Sequence, residues 1–257
     1  MANYERFTEQ EIPYGILAKF GLTNEMIDDL PHIVQQRFLS GRTTPVLPIV
    51  TVNPDGDKVQ SLAKISLVRL NDGTVDICFV PVWDDEDLTE FTPEQQEKLK
   101  RGLVTTAYRP NKGYYYIQFD DTISQVMAVP IEIINQNIFI LTQNFGLTDD
   151  DKSKLQNGDV VEMKVDEQTV SAGVDLNEMT GLRIADGDAM AWQQDANADK
   201  LPKYNFGIYG CWIADDDNVL SYVADKDYTQ EILDEQKRVE SRNAAEAQMR
   251  MAGQVKI

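Results

Sequence analysis

The chain has 257 residues, a formal net charge of −19 at pH 7 and 26% charged residues. This length and composition are typical of a folded protein with one large domain or two small ones, and they exclude a disordered chain. The acidic charge disfavours direct binding to nucleic acid, because the phosphate backbone attracts clustered Lys and Arg.

The cysteines, the single histidine and the N-terminus argue against disulfide-rich, zinc-binding and secreted proteins. The chain has 2 Cys and 1 His, so neither a disulfide framework nor a Cys/His zinc site is predicted. We expect Cys78 and Cys211, each alone in an apolar run, to be buried free thiols in a reducing cytoplasm. No apolar run resembles a secretory signal or approaches the roughly 20 residues of a membrane helix. The expected location is the cytoplasm, or a virion released from it.

The first predicted unit is a helical cap over residues 8–40. Thr8 and Glu11 have the spacing of a capping box, and Thr23 can cap a further helix. His32 lies among apolar positions, and no Ser, Cys or Asp nearby has the pattern of a catalytic partner. A packing or surface role is therefore favoured over that of a catalytic base.

An antiparallel meander follows the cap. Strands are predicted at Val46–Val52, Ser61–Leu70 and Val75–Val80, and the turn residues Asn53–Asp57 and Asn71–Gly73 separate them.

A pattern of thirteen residues then occurs twice, at residues 92–104 and 148–160. The matched pairs are Thr92 and Thr148, Leu99 and Leu155, Gly102 and Gly158, and Val104 and Val160. Each copy predicts a capped helix that leads into a β-hairpin, and the equivalence continues to Asp120 and Asp175. The expected hairpin strands are Leu103–Tyr108, Tyr114–Phe119, Val160–Val165 and Thr169–Leu176.

The segment between the copies is expected to be strands. Ile123–Val129 and Ile131–Leu141 are apolar and rich in β-branched residues, and Pro130 interrupts them. The aromatic run Tyr114–Tyr116 could stack on a nucleobase, but alternate strand residues face opposite ways. Packing within the protein is therefore the favoured role of these rings.

Three acidic clusters are candidate cation sites. Asp84–Asp87 is typical of a solvated connection, and Asp149–Asp151 suits the N-terminus of a helix. Asp195–Asp199 resembles the start of a calcium loop, but Lys200 and Phe206 stand where that loop needs Gly and Glu. No metal ligand, cofactor-binding residue or catalytic residue is predicted.

The C-terminal part lacks the repeat pattern. Asp186–Pro202 is predicted to be a polar loop, Tyr204–Ala214 and Val219–Val223 a pair of strands, and Tyr228–Met251 a long helix. The apolar positions of this helix are too sparse for the rest of the chain to bury it, so the helix is the candidate surface for a protein partner. The candidate partner-binding residues are Ile232, Leu233, Val239 and Met251.

Five landmarks follow one another in the chain: FTEQEIPYGILAKFGL from residue 7, LSGRTTPVLPI from residue 39, AKISLVRLNDGTV from residue 63, QFDDTISQVMAVP from residue 118, and the two duplicated helices. In this order they resemble a pair of uncharacterised domains, DUF4099 and DUF3945, over about residues 6–185. The resemblance implies an origin in Bacteroidota mobile elements and a loose link to DNA topoisomerases through neighbouring domains. It supplies no catalytic residue.

The expected fold is α+β, with three parts. Residues 1–90 form the helical cap and meander (DUF4099-like), residues 91–185 form the tandem helix–hairpin repeats (DUF3945-like), and residues 186–257 form a distinct strand pair and long helix.

The expected function is that of a non-catalytic structural or interaction protein of a mobile element, best matched to a phage virion-associated or assembly component. The alternatives are an accessory of conjugative DNA processing beside a topoisomerase or relaxase, and an enzyme with an unrecognised carboxylate site. Other proteins are the expected partners, including further copies of the chain.

Overall fold

The computed structural model describes residues 7–83, 87–165, 167–178, 180–195 and 201–254, with side chains except at 194–195 and 244–254. Over these ranges the chain is an α+β protein, as predicted, with helices packed around four antiparallel sheets of three strands each. No helix within them is long and apolar enough to span a bilayer.

The elements follow one another in a simple order. The α-helices are α1 Tyr14–Leu17, α2 Asn24–Asp28, α3 His32–Leu39, α4 Pro93–Lys100, α5 Ile131–Phe145, α6 Asp149–Gln156, α7 Ala189–Asp195 and α8 Gln230–Gln254. The strands are β1 Leu47–Val52, β2 Lys58–Arg69, β3 Val75–Pro81, β4 Thr105–Arg109, β5 Gly113–Asp120, β6 Gln125–Pro130, β7 Val161–Val165, β8 Gln168–Val174, β9 Leu182–Asp186, β10 Tyr204–Phe206, β11 Gly210–Ala214 and β12 Leu220–Ala224. Each set of three consecutive strands forms one meander in chain order.

The helical cap is confirmed, although its helices are short. The predicted capping box of Thr8 and Glu11 closes a single 3-10 turn, and Thr23 caps α2 by accepting a hydrogen bond from the Met26 amide. Gly21 ends the next 3-10 turn with a φ of +80°. A Cβ at Gly21 would lie 2.8 Å from a methyl carbon of Val50, so this glycine also lets the cap approach β1.

The first sheet buries one face against the cap. Leu47, Ile65 and Leu67 are almost fully buried there. Because side chains alternate along a strand, Ile77 is buried and its neighbour Cys78 points to solvent. The expectation of two buried thiols is therefore wrong for Cys78 and confirmed for Cys211, whose pKa burial raises to about 11.

The duplication is confirmed as two capped helices that lead into antiparallel strands. Thr92 and Thr148 both form capping boxes, and Leu99 and Leu155 are both fully buried. Each hairpin gains a third strand, β6 in the first copy and β9 in the second, and β9 was not predicted. The second copy comes so close to the first that a Cβ on Gly158 would lie 3.0 Å from the Val104 carbonyl oxygen.

The prediction of a strand at Ile131–Leu141 is wrong, because the segment is part of helix α5. Ile134, Ile138 and Leu141 recur at helical spacing and are buried against the second repeat. Pro130 precedes the helix and Gly146, at a φ of +63°, ends it. The many isoleucines favour a strand locally, but burial of this stripe outweighs that preference.

Two predictions in the C-terminal part are also wrong. Asp186–Pro202 contains helix α7, whose Trp192 packs on β8 at Gly173, where a Cβ would lie 2.7 Å from the indole ring. Tyr204–Ala214 is two strands, because the chain reverses between β10 and β11.

The last sheet shares the core of the N-terminal unit. Leu201, Trp212 and Leu220 lie in one cluster with residues of the cap and of the first sheet. The Trp212 indole N–H donates to the Met26 carbonyl at 2.9 Å. The strand pair placed in a separate C-terminal part by the sequence therefore completes a core that begins at Phe7.

Asp29 links the helical cap to the last sheet. Its side chain is 4% exposed and accepts hydrogen bonds from the amides of Ile208 at 2.6 Å and Tyr209 at 2.9 Å, and from the Tyr222 hydroxyl at 2.7 Å. Gly207 begins the turn, and a Cβ there would collide with the Asp29 carboxylate.

Candidate functional site

A polar cleft of about 480 Å³ lies where the N-terminal unit, the two repeats and the last sheet meet. We call it the central cleft. Arg37 and Lys64 line it from the N-terminal unit, Asp120 from the first repeat, Asp175 from the second and Asn218 from the last sheet.

The duplication places one buried aspartate from each repeat in this cleft. Asp120 accepts hydrogen bonds from the Thr122 amide at 3.1 Å and hydroxyl at 2.6 Å, and Asp175 accepts one from the Asn177 amide at 3.0 Å. Both aspartates therefore form the same local turn after the middle strand of their sheet. The sequence pairs these two positions but assigns them no role.

Each aspartate has a cation beside it. Lys64 of β2 forms a short ion pair with Asp120, and Arg183 of β9 donates to Asp175 at 2.8 Å. The guanidinium of Arg183 also lies 3.7 Å from the ring centre of Trp192 and donates to the Trp192 carbonyl. Since all three contacts hold Arg183 in one orientation, α7 and the cleft are coupled.

Gln118 connects the repeats beneath the cleft. Its amide nitrogen donates to the Gly102 carbonyl at 3.0 Å, and its oxygen accepts from the Leu176 amide at 2.6 Å. Because Gln118 is buried, losing either bond would leave an unsatisfied polar group.

A third ion pair stands at the edge of the cleft. Arg42 contacts Glu178 at 2.8 Å. Burial raises the pKa of Glu178, and the nearby Arg42 opposes this effect. Burial lowers the pKa of Arg37, whose charge also interacts with Glu178, Asp175 and Asp120. The sequence missed Arg42 and Glu178, because no local pattern relates residues so far apart.

The cleft is therefore less acidic than the rest of this chain. The residues that line it include five acids (Asp120, Asp121, Asp175, Glu178 and Asp217) and five cations (Arg37, Lys64, Lys100, Arg101 and Arg183). Arg42 pairs with Glu178 at its edge, and Lys100 and Arg101 add exposed positive charge at its rim. Such an arrangement can hold an anion, because guanidinium groups match carboxylate and phosphate oxygens.

The predicted partner-binding residues lie on α8, away from this cleft. Ile232 is 4% exposed, so it packs within the chain and is not available to a partner, which corrects that part of the prediction. Leu233 is 37% exposed and Val239 is partly exposed. The side chain of Met251 lies outside the described residues.

The other candidates are not brought together. His32 is exposed and shares a hydrogen bond with Gln36 at 2.9 Å. Tyr116 is buried, and burial raises its pKa to about 12, whereas Tyr114 is exposed. These two rings therefore do not form a stacking platform.

The acidic clusters do not form a described metal site. Asp150 pairs with Lys154 at 2.6 Å on α6. The larger parts of the clusters at 84–87 and 195–199 lie outside the described residues. Among the residues that the structure describes, no group of three potential metal ligands occurs.

The protein is thus an α+β protein in which two copies of a helix–meander unit pack against a unit made of the helical cap and the first sheet. Residues 7–90, the cap and first sheet, match a family described as "Protein of unknown function (DUF4099)". This match confirms the DUF4099 part of the resemblance, and the DUF3945 part stays a prediction. No curated protein and no solved structure matches the chain.

Proposed function

We propose that this is a non-catalytic interaction protein of a Bacteroidota mobile element, acting as a virion-associated or assembly component of a phage. The observation that carries the proposal is the surface of α8. This helix has 25 residues, about 37 Å at the usual rise. Over residues 230–243, Ile232 is the one buried side chain. A helix whose first fourteen residues bury a single side chain is stabilised well when a partner covers it.

Helix α5 adds a second exposed surface. Ile133, Phe139 and Ile140 are each about half exposed, and Glu132 is the single charged residue in the 15 residues of the helix. An apolar surface with so little charge of its own, on so acidic a chain, is typical of a contact between proteins.

The central cleft supports a role without catalysis. Asp120, Asp175 and Glu178 each have a cation partner within the chain. The pairs Lys64–Asp120 and Arg42–Glu178 hold the repeats to the N-terminal unit, and the pair Asp175–Arg183 lies within the second repeat. This structural role explains the burial of the three acids without a reaction.

Assembly is tested by measuring the mass of the chain in solution. We expect the full chain to form oligomers, or to co-sediment with phage particles, and a variant ending at residue 227 to do neither. Leu233→Asp together with Val239→Asp should have the same effect, whereas the exposed control Ser241→Asp should not. Monomers in every case, with no association with particles, would overturn the proposal.

The cations of the central cleft favour a second candidate, an accessory of conjugative DNA processing that contacts DNA phosphates beside a topoisomerase or relaxase. Lys100 and Arg101 are exposed at the rim of the cleft. This function predicts DNA binding that weakens steeply with salt and is reduced in Lys100→Ala and Arg101→Ala. Absence of binding at low salt would exclude direct contact with DNA.

A further inference from the structure

A second, more apolar cavity adjoins the central cleft. It has a volume of about 250 Å³, and Val129, Ile133, Ile134 and Leu176 form its apolar walls. It shares Thr43, Asn177 and Glu178 with the central cleft. The two cavities therefore adjoin at these three residues, and we call the pair the groove, which is apolar at one end and charged at the other.

The apolar end depends on a glycine. Gly181 has a φ of +68°, and a Cβ there would collide with the side chain of Ile134. The neighbouring carbonyl of Thr180 accepts a hydrogen bond from the Asn137 side chain at 2.7 Å, which holds the turn against α5. The space is thus built by a tight turn and a helix face that are held together.

The ion pair of Arg42 and Glu178 lies where the two ends of the groove meet. The Arg42 side chain is 42% exposed and that of Glu178 is 13% exposed. Burial disfavours the charged form of Glu178, which raises its pKa. Arg42 is therefore accessible to an external anion, whereas burial destabilises the charged form of its partner Glu178.

We propose that the groove binds a small organic anion, with its apolar part between Ile133 and Leu176 and its carboxylate or phosphate on Arg42 in place of Glu178. Arg37 adds positive charge beside this position and favours an anion over a neutral molecule. Such a ligand site goes beyond the proposed assembly function, and either can fail without the other.

The test is calorimetric titration of the full chain with four probes: hexanoate, hexyl phosphate, 1-hexanol and inorganic phosphate. We expect hexanoate or hexyl phosphate to bind at least about tenfold more tightly than 1-hexanol, because a charged hydrogen bond is worth roughly that factor. The two anions distinguish a carboxylate from a phosphate ligand. Inorganic phosphate should bind more weakly than hexyl phosphate, since it lacks the apolar part.

Variants separate this site from a purely structural ion pair. Arg42→Ala should weaken the binding of the best probe about tenfold, and Arg42→Lys should retain part of the affinity. Glu178→Gln should tighten binding, because it removes the competing carboxylate. The matched control is Arg69→Ala, which breaks a comparable surface pair with Glu11 at 2.7 Å and should leave binding unchanged.

Several results would overturn the proposal. They are no binding of any probe to the folded chain, equal binding of 1-hexanol and the anions, and weaker binding in Glu178→Gln. If Arg42→Ala does not fold, Glu178→Gln still decides, since a purely structural pair predicts no gain of affinity in that variant.

Discussion

The strongest test of the fold is the removal of the Asp29 carboxylate. This group accepts hydrogen bonds from the Ile208 and Tyr209 amides and from the Tyr222 hydroxyl, and it is 4% exposed. Asp29→Ala would leave three donors without their acceptor at the place where the last sheet meets the cap.

The magnitude follows from these contacts. A hydrogen bond to a charged group contributes about 1.5–3 kcal/mol, and an unsatisfied buried donor costs about 1–3 kcal/mol. The gain from no longer burying a charge offsets part of the loss. Water can also reach the turn, because Ile208 is 82% exposed. We therefore expect a loss of about 3 kcal/mol in the free energy of unfolding.

The assay is urea unfolding followed by tryptophan fluorescence, since Trp212 packs in the same core and is bonded to the cap. Asp28→Ala is the matched control, because this neighbouring carboxylate is exposed and accepts one hydrogen bond, from Tyr14 at 2.8 Å. It should cost about 1 kcal/mol or less. Asp29→Asn keeps an acceptor oxygen and should fall between the two. Equal losses in Asp29→Ala and Asp28→Ala would refute the role given to Asp29.

Three further outcomes can be checked independently. Gly158→Ala should lose about 1 kcal/mol more in free energy of unfolding than Gly56→Ala. Both glycines have a positive φ, but a Cβ at Gly158 would lie 3.0 Å from a backbone carbonyl oxygen, whereas a Cβ at Gly56 would lie in open space. A thiol reagent should modify Cys78 in the folded chain and Cys211 only after unfolding, because burial protects Cys211 and raises its pKa to about 11; equal rates would contradict this. Burial raises the pKa of Glu178 above its ordinary 4.5, so the folded chain keeps this proton to higher pH than the unfolded chain does. Stability should therefore fall as the pH rises from about 4.5 through the folded pKa, and Glu178→Gln should flatten that fall in urea midpoints measured between about pH 4 and pH 7.

Local signals in the sequence predicted much of the fold correctly. The capping boxes at Thr8, Thr92 and Thr148 all form. Each depends on hydrogen bonds between residues three apart, so the residues that decide the structure are all visible in one short window. The same is true of the turn at Asn71–Gly73 between β2 and β3.

Predictions failed where distant packing outweighed local preference. Ile131–Leu141 has the composition of a strand, yet burial of Ile134 and Ile138 against the second repeat makes it part of a helix. The break between β10 and β11 is held by Asp29, which lies near the other end of the chain. Neither contact leaves a trace in the neighbouring sequence.

The candidate site at the central cleft was not predicted from the sequence. The duplication marked Asp120 and Asp175 as equivalent positions, but their cations come from Lys64 and Arg183, which share no repeat position. Arg42 and Glu178 meet only because the second repeat packs on the N-terminal unit. Because the N-terminal unit, the two repeats and the last sheet all line the cleft, the sequence of any one of them does not predict it.

The sequence by itself determined the duplicated units, the α+β class and the DUF4099 likeness of the N-terminal part, because caps, turns and alternating strands are interactions between near neighbours. Only the tertiary structure decided that the last sheet completes the N-terminal core, that Ile232 is buried, and that five cations from distant parts of an acidic chain line one cleft. These features depend on burial and charge pairing between residues that are distant in sequence, and such contacts exist only once the chain has folded.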